Sequence, residues 1–150
     1  MQVVIAPAIG GVILSQWVAH HLTELTGTEV LGVYAEKTGD GDAFDIRRGY
    51  AELVNGKKVL VVEDVLTTGG SAKKVVEATR AAGGEPIGLG AMCNRGSVTS
   101  QDVANVPELF ALVNIKMMAW DEADCPLCAQ NTPINTNVGK GREYLARKRS

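Results

Sequence analysis

The period of the apolar positions changes several times along the chain, and each change marks an element. Gln2 to Ala6 is a short, β-branched apolar run closed by Pro7, the pattern of a buried strand. After Gly10-Gly11 the apolar positions Ile13, Trp17, Ala19, Leu22 and Leu25 recur at helical spacing, and Gly27 is placed to stop that helix. Glu29 to Tyr34 resumes a strand pattern, the Gly/Asp-rich stretch from Thr38 to Asp42 reads as a mobile loop, and Phe44 to Tyr50 reads as a further strand. Asn55-Gly56 is a turn signal, and Val59-Leu60-Val61-Val62 is apolar on both faces, which belongs in the middle of a sheet. Ser71 heads a helix to about Ala82, with Val75, Val76 and Thr79 on its inner side and Lys73, Lys74, Glu77 and Arg80 on the other, stopped by Gly83-Gly84. Ile87 to Met92 and Leu109 to Ile115 add two strands.

Strands that alternate with helices predict a single α/β domain whose central sheet is mostly parallel and flanked by helices on both faces. The periodicity fades from Asp121, so residues 1–128 are read as the core. Residues 129–150, rich in Asn, Thr and Gly and ending in Arg142, Arg147, Lys148 and Arg149, are read as an irregular extension with a basic tail.

Composition narrows the function classes. The 150 residues, 45% of them hydrophobic and 21% charged, suit one globular domain with one core. A net charge of -2 gives no reason to expect nucleic acid or an anionic membrane as partner, so an anionic ligand must be held locally. No apolar run approaches the ~20 residues that span a bilayer, and Met1 leads into Val3 without a basic leader, so the chain is expected to be cytoplasmic. Three cysteines are an odd number for a disulfide framework, and reduced thiols are expected.

The chemistry is concentrated in Glu63-Asp64-Val65-Leu66-Thr67-Thr68-Gly69-Gly70-Ser71, which joins a buried strand to the next helix. Open parallel sheets bind ligands at that junction. Backbone N–H groups from Thr67 to Ser71 can converge on an anion at the helix start, and the glycines allow a close approach. No GxxxxGK[ST] pattern is present, which removes the main support for nucleoside triphosphate hydrolysis. Ionised Glu63 and Asp64, placed just before this phosphate nest, accept hydrogen bonds and so suit the vicinal hydroxyls of a ribose phosphate.

Four apolar residues, two acids, Val-Leu and Thr-Thr-Gly-Gly-Ser, running from Val59 to Ser71, resemble the thirteen-residue signature of the type I phosphoribosyltransferases. The similarity extends from Val3 to about Cys128. It implies that residues Glu63 to Ser71 bind 5-phosphoribosyl-1-pyrophosphate. It further implies that Pro7-Ala8-Ile9-Gly10-Gly11 resembles the family's pyrophosphate loop, with Ala8, Ile9 and Gly10 facing the leaving group. Asn94-Arg95-Gly96-Ser97 resembles the arginine loop of the orotate enzymes, so that Thr67 and Arg95 would contact the base, a planar guanidinium suiting a substrate carboxylate. Tyr34 to Asp42 takes the place of the family's mobile loop. It offers Lys37 alone where the family carries several basic residues, with Arg47 and Arg48 close by. The N-terminal hood that helps enclose the base in related enzymes is expected to be absent.

The resemblance implies transfer of a phosphoribosyl group to a nucleobase, orotate first and a purine such as xanthine second, with release of pyrophosphate. Glu63 and Asp64 would hold the ribose hydroxyls, Lys37 would close over the pyrophosphate, and Mg²⁺ would enter through the ligand near the two acids without a direct protein ligand set. A phosphoribosyl-pyrophosphate-sensing regulator that has lost the reaction is the rival, although no DNA-binding motif is evident. A homodimer is expected from the family and from Trp17, Met117, Met118 and Trp120, more large apolar groups than a small core needs. Cys125-Pro126-Leu127-Cys128 has the spacing of half a zinc site but resembles an element of orotate-like relatives and is read as a structural turn.

Overall fold

The structure is a computed structural model that describes residues 1–39, 43–118 and 120–148. Asp40, Gly41 and Asp42 of the expected loop and Arg149 of the basic tail lie outside the described residues. Two compact units divide the chain, Met1–Met117 and Met118–Ser150.

The first unit holds a six-stranded sheet in the order β3-β2-β1-β4-β5-β6. Its strands are β1 (Val3–Pro7), β2 (Leu31–Lys37), β3 (Phe44–Asp45), β4 (Lys58–Leu66), β5 (Glu85–Asn94) and β6 (Leu109–Asn114). All neighbours pair parallel except β2 with β3. β4 lies between β1 and β5, which is why Val59 to Val62 are apolar on both faces. From β1 the chain crosses through α1 (Gly11–Thr26) to β2, and from β4 it crosses through α3 (Gly70–Ala81) to β5 on the other side. The strand order therefore reverses between β1 and β4.

Each face of the sheet has its own core. Val4, Ala6 and Val62 pack with Ala19 and the half-buried Leu14, Val18 and Leu22 of α1. Val3, Ile5, Val33, Val59 and Val61 pack with Ala72, Val75 and Val76 of α3 and with Val54 of the short helix α2 (Tyr50–Val54). On α3 the inner side holds Val75, Val76 and Thr79 as the pattern predicts.

Two expectations change. The helix after Gly10 forms, but its predicted apolar set splits: Ala19 is buried and Leu22 half-buried, while Ile13, Trp17 and Leu25 are exposed. α1 carries apolar residues on several sides, and the sheet takes the stripe of Gly11, Ser15 and Ala19, whose small side chains let the helix backbone come close. The strand expected from Phe44 to Tyr50 ends after Asp45. Arg48 and Gly49 turn the chain with φ of 61° and 77°, and Tyr50 begins α2, its ring edge-on to Tyr34 at 5.3 Å. Asn55-Gly56 does form a turn, which leads from α2 into β4.

α1 leaves part of its sheet face open. Met92, Phe110 and Leu112 of β5 and β6 are exposed, and with Leu14 and Val18 they line an apolar groove of about 180 Å³.

The second unit is not wholly irregular. It contains a single turn of 3-10 helix at Glu122–Asp124, α4 (Pro126–Ala129) and α5 (Gly141–Arg147). Lys148 forms a salt bridge with Glu122, and the Arg142 Nε donates to the Thr136 carbonyl at 2.9 Å, so these two members of the basic tail are engaged within the unit. Cys125 caps α4 with Pro126 in its first turn. The amide and thiol of Cys128 hold the Cys125 thiol below the usual range, and sharing that contact raises the Cys128 thiol.

Candidate active site

In open parallel sheets ligands bind at the carboxyl ends of the strands where the order reverses, here β1 and β4. Both segments singled out in the sequence start there. β4 runs through Glu63 and Asp64 to Leu66, and a turn then leads into α3; residues 63 to 72 line a cleft of about 220 Å³. Gly70, Ser71 and Ala72 precede the first helical hydrogen bond, from the Lys73 amide to the Gly69 carbonyl at 2.8 Å, so their N–H groups have no carbonyl one turn back. Gly69 has a φ of 77°, and a Cβ there would also lie 2.9 Å from Val98 and from Val103. A side chain at this position would have to displace the buried shelf on which the turn rests.

The β1–α1 loop reaches the same place. A Cβ on Gly10 would stand 3.0 Å from the Asp64 carboxylate, so the loop passes directly over the acid. The Ala8 amide is taken by the Ala35 carbonyl of β2 at 2.8 Å, which anchors the loop. Ile9 is exposed, and the Ala8–Ile9 peptide is cis.

The two acids differ in environment although they are adjacent. Glu63 is 7% exposed and Asp64 is half-buried. The Asp64 amide donates to Glu63 Oε1 at 3.1 Å, and the Val65 amide donates to Asp64 Oδ1 at 2.6 Å. Burial pushes the Glu63 carboxyl up to about 8; the shared hydrogen bond with the Asp64 side chain and that group's negative charge act the same way, against the opposing amide. Without ligand, Glu63 is therefore mostly neutral near pH 7, whereas the sequence suggests two ionised acceptors.

A titration follows from this. A carboxyl that is harder to ionise when folded favours the folded state below its unfolded value of about 4.5, and that contribution is lost as pH rises to about 8. The unliganded protein is expected to lose urea-unfolding free energy across this window, and Glu63→Gln, which does not titrate, should flatten the slope. Parallel pH profiles for parent and variant would refute the assignment.

The third segment comes from the end of β5. The Arg95 Nε donates to Thr67 Oγ1 at 2.9 Å, which joins the two residues singled out for base contact across 28 positions of sequence. No other hydrogen bond of the Arg95 side chain occurs among the described residues, so its terminal nitrogens remain for an incoming group. The loop is latched by Asn94, a buried side chain whose Nδ2 donates to the Val98 carbonyl and whose Oδ1 accepts the Val98 amide, both at 2.9 Å. A Cβ on Gly96 would fall 1.5 Å from the Thr67 carbonyl oxygen, so only glycine lets the two loops meet. Sequence reasoning had no role for Asn94 beyond the loop it begins, nor for Val98 and Val103. Asn and Gly flanking an arginine are the only signal that could have drawn attention to a closed turn.

Lys37 ends β2, paired opposite Phe44 of β3, and is exposed; its strand end lies two residues past Ala35, the residue that anchors the β1 loop. Arg47 and Arg48 are tied to acids of the same sheet edge, Arg47 to Asp45 at 3.0 Å and Arg48 to Glu36 at 2.8 Å.

A helix-start turn after a central strand, an acid pair before it and a guanidinium beside it meet at the switch point of an α/β sheet, an arrangement suited to a phosphorylated ligand. Comparison with known proteins agrees. The phosphoribosyl transferase domain model matches residues 2–127, and the chain belongs to that family. It is 38% identical over 134 residues to the orotate phosphoribosyltransferase of Caldanaerobacter subterraneus, covering 89% of this chain and 64% of that protein. It is 42% identical over 132 residues to the enzyme of the same name from Thermus thermophilus, covering 87% and 66%. Among solved structures, the orotate phosphoribosyltransferase of Aeropyrum pernix superposes with a TM-score of 0.55 at 25% identity, over 75% of this chain and 60% of that one. The adenine phosphoribosyltransferase of Saccharomyces cerevisiae superposes with a TM-score of 0.59 at 18% identity, over 75% and 66%, and shares the fold. The chain thus spans about two thirds of the length of its curated relatives.

Proposed function

We propose that this chain binds 5-phosphoribosyl-1-pyrophosphate and transfers the phosphoribosyl group to orotate, releasing pyrophosphate. The observation that carries the choice of base is the Arg95–Thr67 hydrogen bond, which holds a guanidinium with free terminal nitrogens beside the phosphate turn. The names of the relatives at 38% and 42% identity support the same reading.

In this reaction the base nitrogen forms a bond to C1 of the ribose as the bond from C1 to pyrophosphate breaks, and the proton that the nitrogen carried is released to water or to the departing pyrophosphate. The 5-phosphate sits on the amides at the start of α3, where the helix dipole favours negative charge. Glu63 and Asp64 meet the ribose hydroxyls, and the positive charge growing on the sugar favours their ionised forms. The loop from Ala8 to Gly10 faces the pyrophosphate, with Lys37 as the nearby cation. Two adjacent carboxyl groups are too few for an all-protein cage, which suits Mg²⁺ held largely by ligand oxygens and water; when bound, it neutralises charge on the leaving pyrophosphate. Arg47 and Arg48 are exposed, and water screens exposed pairs of this kind, so either can be released to a phosphate at little cost.

A pyrophosphate-release assay with orotate, xanthine and no base tests the proposal. Orotate-dependent release supports it. Tight donor binding without turnover of any base would favour the sensing regulator.

Homodimer formation belongs to the same proposal. Trp17, Met117, Met118 and Trp120 are all exposed, and the groove at Phe110 and Leu112 adds apolar surface. Sedimentation should give twice the 15.9 kDa chain mass at micromolar concentration; a monomer throughout would reject the dimer.

A further inference from the structure

One cluster of chemically able side chains lies outside the phosphoribosyl site. On α1, His20, His21 and Glu24 bring one imidazole nitrogen each and one carboxylate oxygen within 4.8 Å of one another. The helix itself explains the convergence. At about 100° per residue, Glu24 projects about 40° round from His20 and about 60° from His21, between the two rings and one turn above them. Trp17 projects between them one turn below. Its ring stacks on His21 at 5.7 Å and 25° and meets His20 edge-on at 5.7 Å and 77°, so the imidazoles are braced from beneath.

We propose that His20, His21 and Glu24 form a surface site for one borderline divalent transition-metal ion, of the Zn²⁺ or Ni²⁺ class. Ligands at about 2.05 Å from a tetrahedral metal lie about 3.3 Å apart. Each imidazole already lies near that spacing from one of the two carboxylate oxygens, His21 Nδ1 at 3.1 Å from Glu24 Oε2 and His20 Nε2 at 3.6 Å from Glu24 Oε1, and small side-chain rotations would bring three ligand atoms round one ion. Two imidazoles with a carboxylate favour such ions over Mg²⁺, which prefers an all-oxygen shell. Water completes the coordination, since all three residues are exposed. The site starts nine residues along α1 from Gly11, about 14 Å of helix, so it is separate from the phosphoribosyl cleft and independent of the reaction proposed there.

The bracing tryptophan supplies the readout. The test uses the full chain with no histidine tag, carrying Trp120→Phe so that Trp17 is the remaining one of two tryptophans, and Cys125→Ser with Cys128→Ser to remove the paired thiols, which leaves Cys93 as the one remaining cysteine. Titrated Ni²⁺ should quench Trp17 emission saturably in the micromolar range, and calorimetry with Zn²⁺ should give one ion per chain. His20→Ala, His21→Ala and Glu24→Ala should each weaken Ni²⁺ by about tenfold or more, while leaving the thermal shift caused by 5-phosphoribosyl-1-pyrophosphate unchanged. Ni²⁺ affinity weaker than about 1 mM in the reference chain would overturn the proposal. So would any of the three exchanges that left affinity within about twofold, since the ion would then be held elsewhere.

Discussion

Exchanging both acids, Glu63→Gln with Asp64→Asn, is expected to abolish most of the thermal stabilisation that 5-phosphoribosyl-1-pyrophosphate with Mg²⁺ confers. A ligand that binds only the folded state at a hundred times its Kd stabilises by about 2.7 kcal/mol, or roughly 5–10 °C in Tm for a chain of this size. Both exchanges keep the shape of the side chains but turn one accepting oxygen of each into an NH2 donor. They remove the charge that favours the ribose hydroxyls and the metal-bound ligand. The unliganded variant should remain folded, because the Asp64 and Val65 amides retain an oxygen to donate to. Scanning fluorimetry across a ligand titration gives the result, and a variant with the parent's ligand-induced shift would remove the ribose from these residues.

The second large effect is selective for the base. Arg95 is exposed in the unliganded chain; if the bound substrates shield its pair with the orotate carboxylate from water, Arg95→Ala should weaken use of orotate by about 2–5 kcal/mol in kcat/KM, the range for truncating one partner of a desolvated charged pair. A purine has no carboxylate, so its use should barely change. Binding of the ribosyl donor should also persist, since the amides of the phosphate turn and the acids of β4 do not depend on the guanidinium. Arg95 does brace Thr67 through the 2.9 Å hydrogen bond, which makes Arg95→Lys informative: a lysine restores charge but not the planar fork, and rescue by it should be poor. Steady-state rates with orotate and xanthine, with donor affinity measured separately, decide the matter. Equal losses for both bases would reject Arg95 as the reader of the carboxylate.

Much of this protein was decided by residues close together in sequence. The run from Val59 to Ser71 contains its own logic: an apolar stretch long enough for a central strand, acids at its carboxyl end, and glycines that permit the turn into α3. Periodicity of 2 or 3.6 is a local property, so strand, turn and helix could be read there directly. The same holds for the alternation that produced a mostly parallel sheet. What the tertiary structure alone decided involves partners far apart. α1 offers apolar residues on several sides, and the sheet selected the stripe of Gly11, Ser15 and Ala19, leaving Ile13 and Trp17 outside. The segment from Phe44 to Tyr50 has apolar residues enough for a strand, but positive φ at Arg48 and Gly49 and the packing of Tyr50 on Tyr34 end it after two residues. Adjacent Glu63 and Asp64 look equivalent as letters. Only the three-dimensional packing of β4 buries one carboxyl and leaves the other half in water, because desolvation depends on everything that surrounds a group rather than on its neighbours in the chain.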